Sequence, residues 1–199
     1  NNPMTILTLI LLNILLSQVT NITQGITYSS ITEAVAPEVV NDYDIIEVSP
    51  QTYYERIVIW NPLTLRGLEG ARIDASGLMQ AIIVAADDVI ISGFEIIGNE
   101  LTVAGIEVTG GCENVVIDNN VIHGMSLPNP ANSSNFSYGV LAYGAENVPN
   151  PPYNLTISNN EIYETSGSGI SLGSYTNNTT IINNFINISC FKIEPRNCN

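Results

Sequence analysis

Four segments of this 199-residue chain repeat one pattern: IISGFEI (90–96), VIDNNVI (116–122), TISNNEI (156–162) and TIINNFI (180–186). Each has an apolar or β-branched residue, a variable one, two small or Asn residues, another variable one, then Ile. A second pattern precedes each: AIIV (81–84), GIEV (105–108), GVLA (139–142) and GISL (169–172). LTLRGLE (63–69) fits the first pattern loosely. The anchors step from Gly93 to Asn119, Asn159 and Asn183, a repeat of about 24–26 residues with one long interval. That interval carries Pro-, Asn- and Ser-rich insertions at about 125–137 and 146–153, which read as loops. Short β runs at this period are rungs of a parallel β-solenoid, so the fold class is all-β.

Alternate apolar positions, such as Val115/Ile117 and Ile170/Leu172, point inward in such a rung. The stack predicts Ile117, Ile157 and Ile181 inside. The Asn pairs belong at corners, where Asn tolerates a left-handed backbone and its amide bonds to neighbouring rungs. Their expected role is structural. In the same register Glu95, Val121, Glu161 and Phe185 form one outward column, and Ile83, Glu107, Leu141 and Ser171 another.

The run YSSITEAVAPEVVNDYDIIEVSPQTYYERIVIWNPLTLRGLEG (28–70) resembles the opening of right-handed parallel β-helix proteins of the pectin-lyase-like class, including the PbH1-repeat and NosD-like surface proteins. The resemblance implies a cap helix over Ile31–Val40, a strand at Ile45–Val48, then strands Ile57–Ile59 and Leu63–Leu65. It covers residues 26–188 and is nearly silent on activity, because one fold hosts many chemistries. The expected organisation is a hydrophobic N-terminal segment for assembly or anchoring (1–25), the β-helix (26–188) and an irregular tail (189–199).

The activities known in that class need particular constellations. A pectate-lyase-like reaction requires clustered carboxylates and a basic residue, yet the solenoid arginines, Arg56, Arg66 and Arg72, all fall in the first rungs. Arg66 is expected to pair with Glu69 at the surface. A polygalacturonase-like site would include Gly-His-Gly, whereas the single His123 reads Ile-His-Gly-Met. An esterase-like site would need paired Asp with Arg and Gln, and Asp74 and Gln80 stand isolated. Asp87-Asp88 reads as a turn. No catalytic residue, metal site or cofactor is assigned. One His cannot build a His-rich metal site, and no Gly-rich phosphate loop occurs. Tyr138, Tyr143, Tyr153, Tyr163 and Tyr175 are candidates for stacking on sugar or protein.

Charge excludes other partners. Five Lys+Arg against 19 Asp+Glu give a net charge of −14. Arg56, Arg66, Arg72, Lys192 and Arg196 cannot assemble a nucleic-acid-binding patch or one for an anionic membrane. A 45% hydrophobic composition rules out disorder for most of the chain.

Residues 4–16 read MTILTLILLNILL. The stretch is shorter than the roughly 20 residues of a membrane span and lacks the basic flank of a secretory signal. It is expected to belong to the mature protein after removal of a leader. Its apolar side chains, Ile6, Leu7, Leu9, Ile10, Leu11, Leu12, Ile14, Leu15 and Leu16, need burial, and they are the candidate assembly residues. The segment reads as a helix, with donor-strand insertion as the other way to bury it. Membrane contact is expected only before assembly. Seven N-x-[ST] sequons, at Asn21, Asn132, Asn135, Asn154, Asn177, Asn178 and Asn187, are candidate N-glycosylation sites and point to an extracellular, cell-surface location. Cys190 and Cys198 could close a small disulfide loop, leaving Cys112 as a buried thiol.

Two functions follow. The first is a structural subunit of a pilus- or thread-like filament, a homopolymer built through the N-terminal segment. The alternative is a secreted or surface-anchored β-helix that binds or cleaves polysaccharide.

Overall fold

Isoleucine and valine at every second position leave one face of each short strand apolar, and three such strands per repeat close those faces around one core. The computed structural model of the protein describes residues 19–125, 136–143, 151–173 and 176–187. The expected insertions fall mostly outside them, and the tail at 189–199 falls wholly outside.

The first rung contains β3 (Asp44–Val48), β4 (Thr52–Tyr53) and β5 (Ile57–Ile59). The second contains β6 (Leu63–Gly67), β7 (Arg72–Asp74) and β8 (Gln80–Val84). Next come β9 (Ile90–Ser92), β10 (Glu95–Ile97) and β11 (Ala104–Val108), then β12 (Val116–Asp118), β13 (Val121–His123) and β14 (Tyr138–Ala142). The fifth rung is β15 (Thr156–Ser158), β16 (Glu161–Tyr163) and β17 (Ile170–Leu172), and the sixth is β18 (Thr180–Ile182) and β19 (Phe185–Asn187). The first strand of every rung joins sheet I, the second sheet II and the third sheet III, all paired in parallel with the rung before. This is the predicted β-helix, and both repeated patterns fall on its strands.

Register follows the repeat. Leu65, Ile91, Ile117 and Ile157 stack in one column of sheet I, each buried. Ile73, Ile96, Ile122 and Ile162 do the same in sheet II. Burying each of these side chains contributes about 1.5–3 kcal/mol. Ile181 continues the first column beside Ile157 but is 47% exposed, because no later described rung covers it. Both outward columns are as expected, with Arg72 joining Glu95 and Val58 joining Ile83.

Corners explain the Asn pairs. Between sheets I and II one residue takes a left-handed backbone: Gly93 (φ 80°), Asn119 (53°), Asn159 (54°) and Asn183 (55°). Asn and Gly bear that conformation at least cost. The second Asn of each pair turns inward. Asn120 Oδ1 accepts from the Phe94 N–H, Asn160 Oδ1 from Asn120, and Asn184 Oδ1 from Asn160, at 2.9–3.1 Å. Each Nδ2 donates to a backbone carbonyl: Ile91, Ile117 and Ile157 respectively. A second ladder runs outside along Asp88, Asn114, Asn154 and Asn178, whose amides each bond to the rung before at 2.7–3.0 Å. Asp87 accepts the Glu113 N–H, so the acid pair serves a turn.

The N-terminal end is closed. Helix α1 spans Ile31–Ala34 rather than Ile31–Val40. Pro37 lacks an N–H and disfavours helical backbone at Ala36, which stops the helix early. Ser30 caps it through the Glu33 N–H, and Glu55 from the first rung accepts the Ile31 and Thr32 N–H groups at 3.1 and 2.8 Å. A hairpin of β1 (Val19–Asn21) and β2 (Ile26–Tyr28) extends sheet I antiparallel, with β1 paired to β3. The β-helix body therefore starts at least at Val19, and the boundary expected at residue 26 lies inside this hairpin. The strand expected from Ile45 begins at Asp44. Arg66 pairs with Glu47 on the neighbouring rung at 2.7 Å, not with Glu69, because side chains in register across rungs face one another.

Candidate functional site

The outward face of sheet II gathers ionisable and aromatic side chains that lie far apart in sequence. Arg72 on β7 sits in register with Glu95 on β10 and donates Nε and Nη2 to Glu95 Oε2, at 2.9 and 2.7 Å. Glu95 Oε1 lies 3.0 Å from His123 Nε2, one rung further on β13. The His123 ring stacks on Tyr163 of β16, with centroids 4.6 Å apart and an interplanar angle of 7°. Glu164, next in the chain, brings Oε2 to 3.9 Å from His123 Nδ1. Glu164 holds φ at 53°, a left-handed backbone uncommon for Glu.

Electrostatics set the protonation pattern. Burial pushes the Glu95 carboxyl up, but hydrogen bonds from His123 and Arg72, and the Arg72 charge, hold it below the ordinary carboxylate range. An ionised carboxylate only accepts, so Nε2 of His123 carries the hydrogen. The other ring nitrogen, Nδ1, faces Glu164. Burial first, then Glu161, Glu164 and Glu95, raise the Tyr163 phenol, so it stays a neutral donor. The cluster thus offers a guanidinium, an ionised carboxylate, an oriented imidazole and a phenol along one face. Such a face can hold a hydroxyl-rich ligand.

The sequence points to Tyr163 as a stacking residue and to Glu95 as outward, but without a Gly-His-Gly motif it gives His123 no role, and it joins none of these to Arg72. The usable signal was the register that places Arg72 beside Glu95 and His123 on the next rung. Asp74 caps the Ser76 N–H on sheet II, whereas Gln80 bonds Glu107 on sheet III, so these two do not meet. Among the described residues no group of three or more His, Cys, Asp or Glu is placed to hold a metal ion. An open groove of about 380 Å³ on sheet I is lined by Tyr43, Asp88, Ile90 and Asn114, but its polar groups already bond within the corner ladder. The tyrosines form no single platform: Tyr163 lies on sheet II and Tyr138 on sheet III, and Tyr175 falls outside the described residues.

The assembly residues Ile6–Leu16, the sequons Asn132 and Asn135, and Cys190 and Cys198 lie outside the described residues. Cys112 is buried and free, and burial pushes its thiol up. Asn21 is corrected. Its side chain is fully buried, donating to Asp44 Oδ2 at 2.7 Å and accepting the Gln24 N–H at 3.0 Å, which leaves no room for a glycan. Asn154, Asn177, Asn178 and Asn187 are exposed. Glycopeptide mass spectrometry of the protein from a glycosylating host is expected to find Asn21 unmodified whichever other sequons are occupied. A glycan on Asn21 in folded protein would contradict the hairpin.

Residues 68–186, more than half of the chain, match a family described as a right handed beta helix region. Two solved structures share the fold. One is a point variant of a pectin methylesterase in complex with a hexasaccharide, at 15% identity and a TM-score of 0.50. The other is a pectin methylesterase with a different hexasaccharide, at 14% identity and 0.51. Each match covers 81% of this chain and 64% of the solved one, so this chain spans just under two thirds of those proteins. No curated protein matches the chain in sequence. With its rungs in parallel register and more than half its length matched, the chain belongs to the right-handed β-helix family.

Proposed function

We propose that this protein is a polysaccharide-binding β-helix whose ligand lies along the outward face of sheet II. The observation that carries this reading is the chain of contacts Arg72–Glu95–His123–Tyr163, which spans four rungs on one side of a rigid stack. A linear sugar chain meets such a face over several residues, with hydroxyls to Arg72, Glu95 and His123 and ring C–H groups against Tyr163. The likeness in fold to two β-helix proteins solved with hexasaccharides supports the same class of ligand. A net charge of −14 disfavours a polyanion such as unesterified polygalacturonate, so the expected ligand is neutral or esterified. We place the protein outside the cell, where such polymers occur, and the exposed sequons are consistent with that location.

Binding is testable with an array of neutral, esterified and acidic polysaccharides, followed by calorimetry. Tyr163→Ala and His123→Ala are each expected to weaken binding about tenfold, or about 1.4 kcal/mol. Full binding in both variants would sink this reading.

A second reading, head-to-tail assembly of copies, is favoured by one specific observation. On the last described rung Ile181, Ile182, Phe185 and Ile186 are 41–61% exposed.

A further inference from the structure

Left-handed backbone goes to few residue types in this chain. Of the nine described non-glycine residues with positive φ, seven are Asn or Asp, and the other two are Tyr43 and Glu164. Glu164 follows β16 at the corner where the chain leaves sheet II. The rung before shows what that corner itself requires. Ile122 pairs with Ile162 and Met125 with Thr165, so Gly124, at φ 82°, stands where Glu164 stands one rung later at φ 53°. Glycine takes this backbone freely, whereas a residue with a Cβ is strained in it. The turn therefore gives no reason for a glutamate.

The contact with His123 returns little of that strain. Glu164 Oε2 lies 3.9 Å from His123 Nδ1, beyond hydrogen-bond length, and the Glu164 side chain is 46% exposed. An ion pair this long and this open to water contributes little. Backbone strain that the fold does not repay is a mark of functional positions.

The strain does secure a placement. It sets a carboxylate at the edge of the His123–Tyr163 stack, on the same rung as exposed Glu161. The cluster's guanidinium is elsewhere: Arg72 is held by Glu95 at 2.7 Å, and β7 lies three strand spacings from β16, about 14 Å. A carboxylate beside an aromatic ring accepts sugar hydroxyls and repels a sugar's own carboxylate. We propose that Glu164 is the specificity-determining residue of the sheet II site. Its carboxylate takes hydroxyls from a neutral or esterified sugar and turns away the acidic form of the same sugar. This role rests on the polysaccharide-binding reading above. It assigns selectivity to one side chain in contact with the ligand, whereas most of the net charge of −14 lies beyond the roughly 8–10 Å over which salt screens it.

The test pairs binding with stability in the full-length protein. The probes are esterified polygalacturonate and a neutral β-glucan, each with its carboxylated counterpart, measured by calorimetry. Wild type is expected to bind an uncharged probe about tenfold more tightly than its counterpart. Glu164→Gln keeps the strained corner and the size of the side chain but removes the charge, and it is expected to abolish most of that preference. Glu113→Gln, at an exposed corner beside sheet I, makes the same change in net charge and is expected to keep the preference. Glu164→Gly removes carboxylate and strain together. It is expected to bind the uncharged probe about tenfold more weakly, while its thermal midpoint rises by about 2 °C. Wild type that binds none of the probes overturns the polysaccharide reading and this role with it. Four results overturn the role of Glu164 alone: equal binding of both members of a pair by wild type, an unchanged preference in Glu164→Gln, an equal loss of preference in Glu113→Gln, or a Glu164→Gly protein that binds as wild type does or melts several degrees lower.

Discussion

Ile157→Asp is expected to unfold the β-helix or bring it to the edge of unfolding. Ile157 is 1% exposed and stacks between Ile117 and Ile181 in the central column of sheet I. The substitution removes about 1.5–3 kcal/mol of apolar burial. It also places a carboxyl among isoleucines, where it must stay charged at a large cost or take up a proton and remain without a partner, for a further few kcal/mol. The total approaches the 5–15 kcal/mol that holds a typical domain together. Rungs transmit the damage, because each is stable only against its neighbours. Thr156→Asp, one residue earlier on the outward face, is the matched control and is expected to change stability by less than about 1 kcal/mol. Urea denaturation of both variants decides the register, and equal stability of the two would mean that Ile157 does not face the core.

The rungs were legible because the repeat marks its own corners. A residue that must adopt positive φ is drawn from Gly and Asn, so Gly93, Asn119, Asn159 and Asn183 appear as periodic punctuation in a chain of isoleucines. Once the corners were aligned, the inward and outward columns followed from the two-residue period of a strand. The site needed one more step. Arg72, Glu95, His123 and Tyr163 lie 23, 28 and 40 positions apart, and the Glu95–His123 contact runs diagonally between two columns. No local motif contains it. Local motifs also misled. The sequon at Asn21 reads the same whether its amide faces water or, as here, Asp44 in the interior. The resemblance carries the cap helix on to Val40, although Pro37 disfavours helical backbone at Ala36.

The inner Asn ladder carries the second large effect. Asn160 is 1% exposed and every hydrogen-bonding atom of its amide is engaged. Its Oδ1 accepts from the Asn120 N–H and Nδ2 at 3.0 and 3.1 Å, while its Nδ2 donates to the Ile117 carbonyl and to Asn184 Oδ1, both at 2.9 Å. Asn160→Ala removes all of these and leaves the Asn120 N–H buried without a partner. An orphaned buried donor costs about 1–3 kcal/mol and each further lost hydrogen bond about 0.5–1.5 kcal/mol, so a loss of about 3–5 kcal/mol is expected from this one amide. Asn160→Asp separates shape from hydrogen bonding. It keeps the acceptor for Asn120 but turns the Nδ2 donor into an oxygen facing the Ile117 carbonyl, and it is expected to destabilise the fold by a similar amount, less so as the pH falls and the carboxyl regains a donor hydrogen. Asn159→Gly, at the neighbouring left-handed corner, relieves strain and loses only the exposed bond to Asp118, so its effect is expected to be within about 1 kcal/mol. Thermal unfolding of the three variants tests whether the Asn pair divides its work in this way, with the first residue turning the chain and the second tying rung to rung. A tolerated Asn160→Ala would show that the ladder is not what holds these corners together.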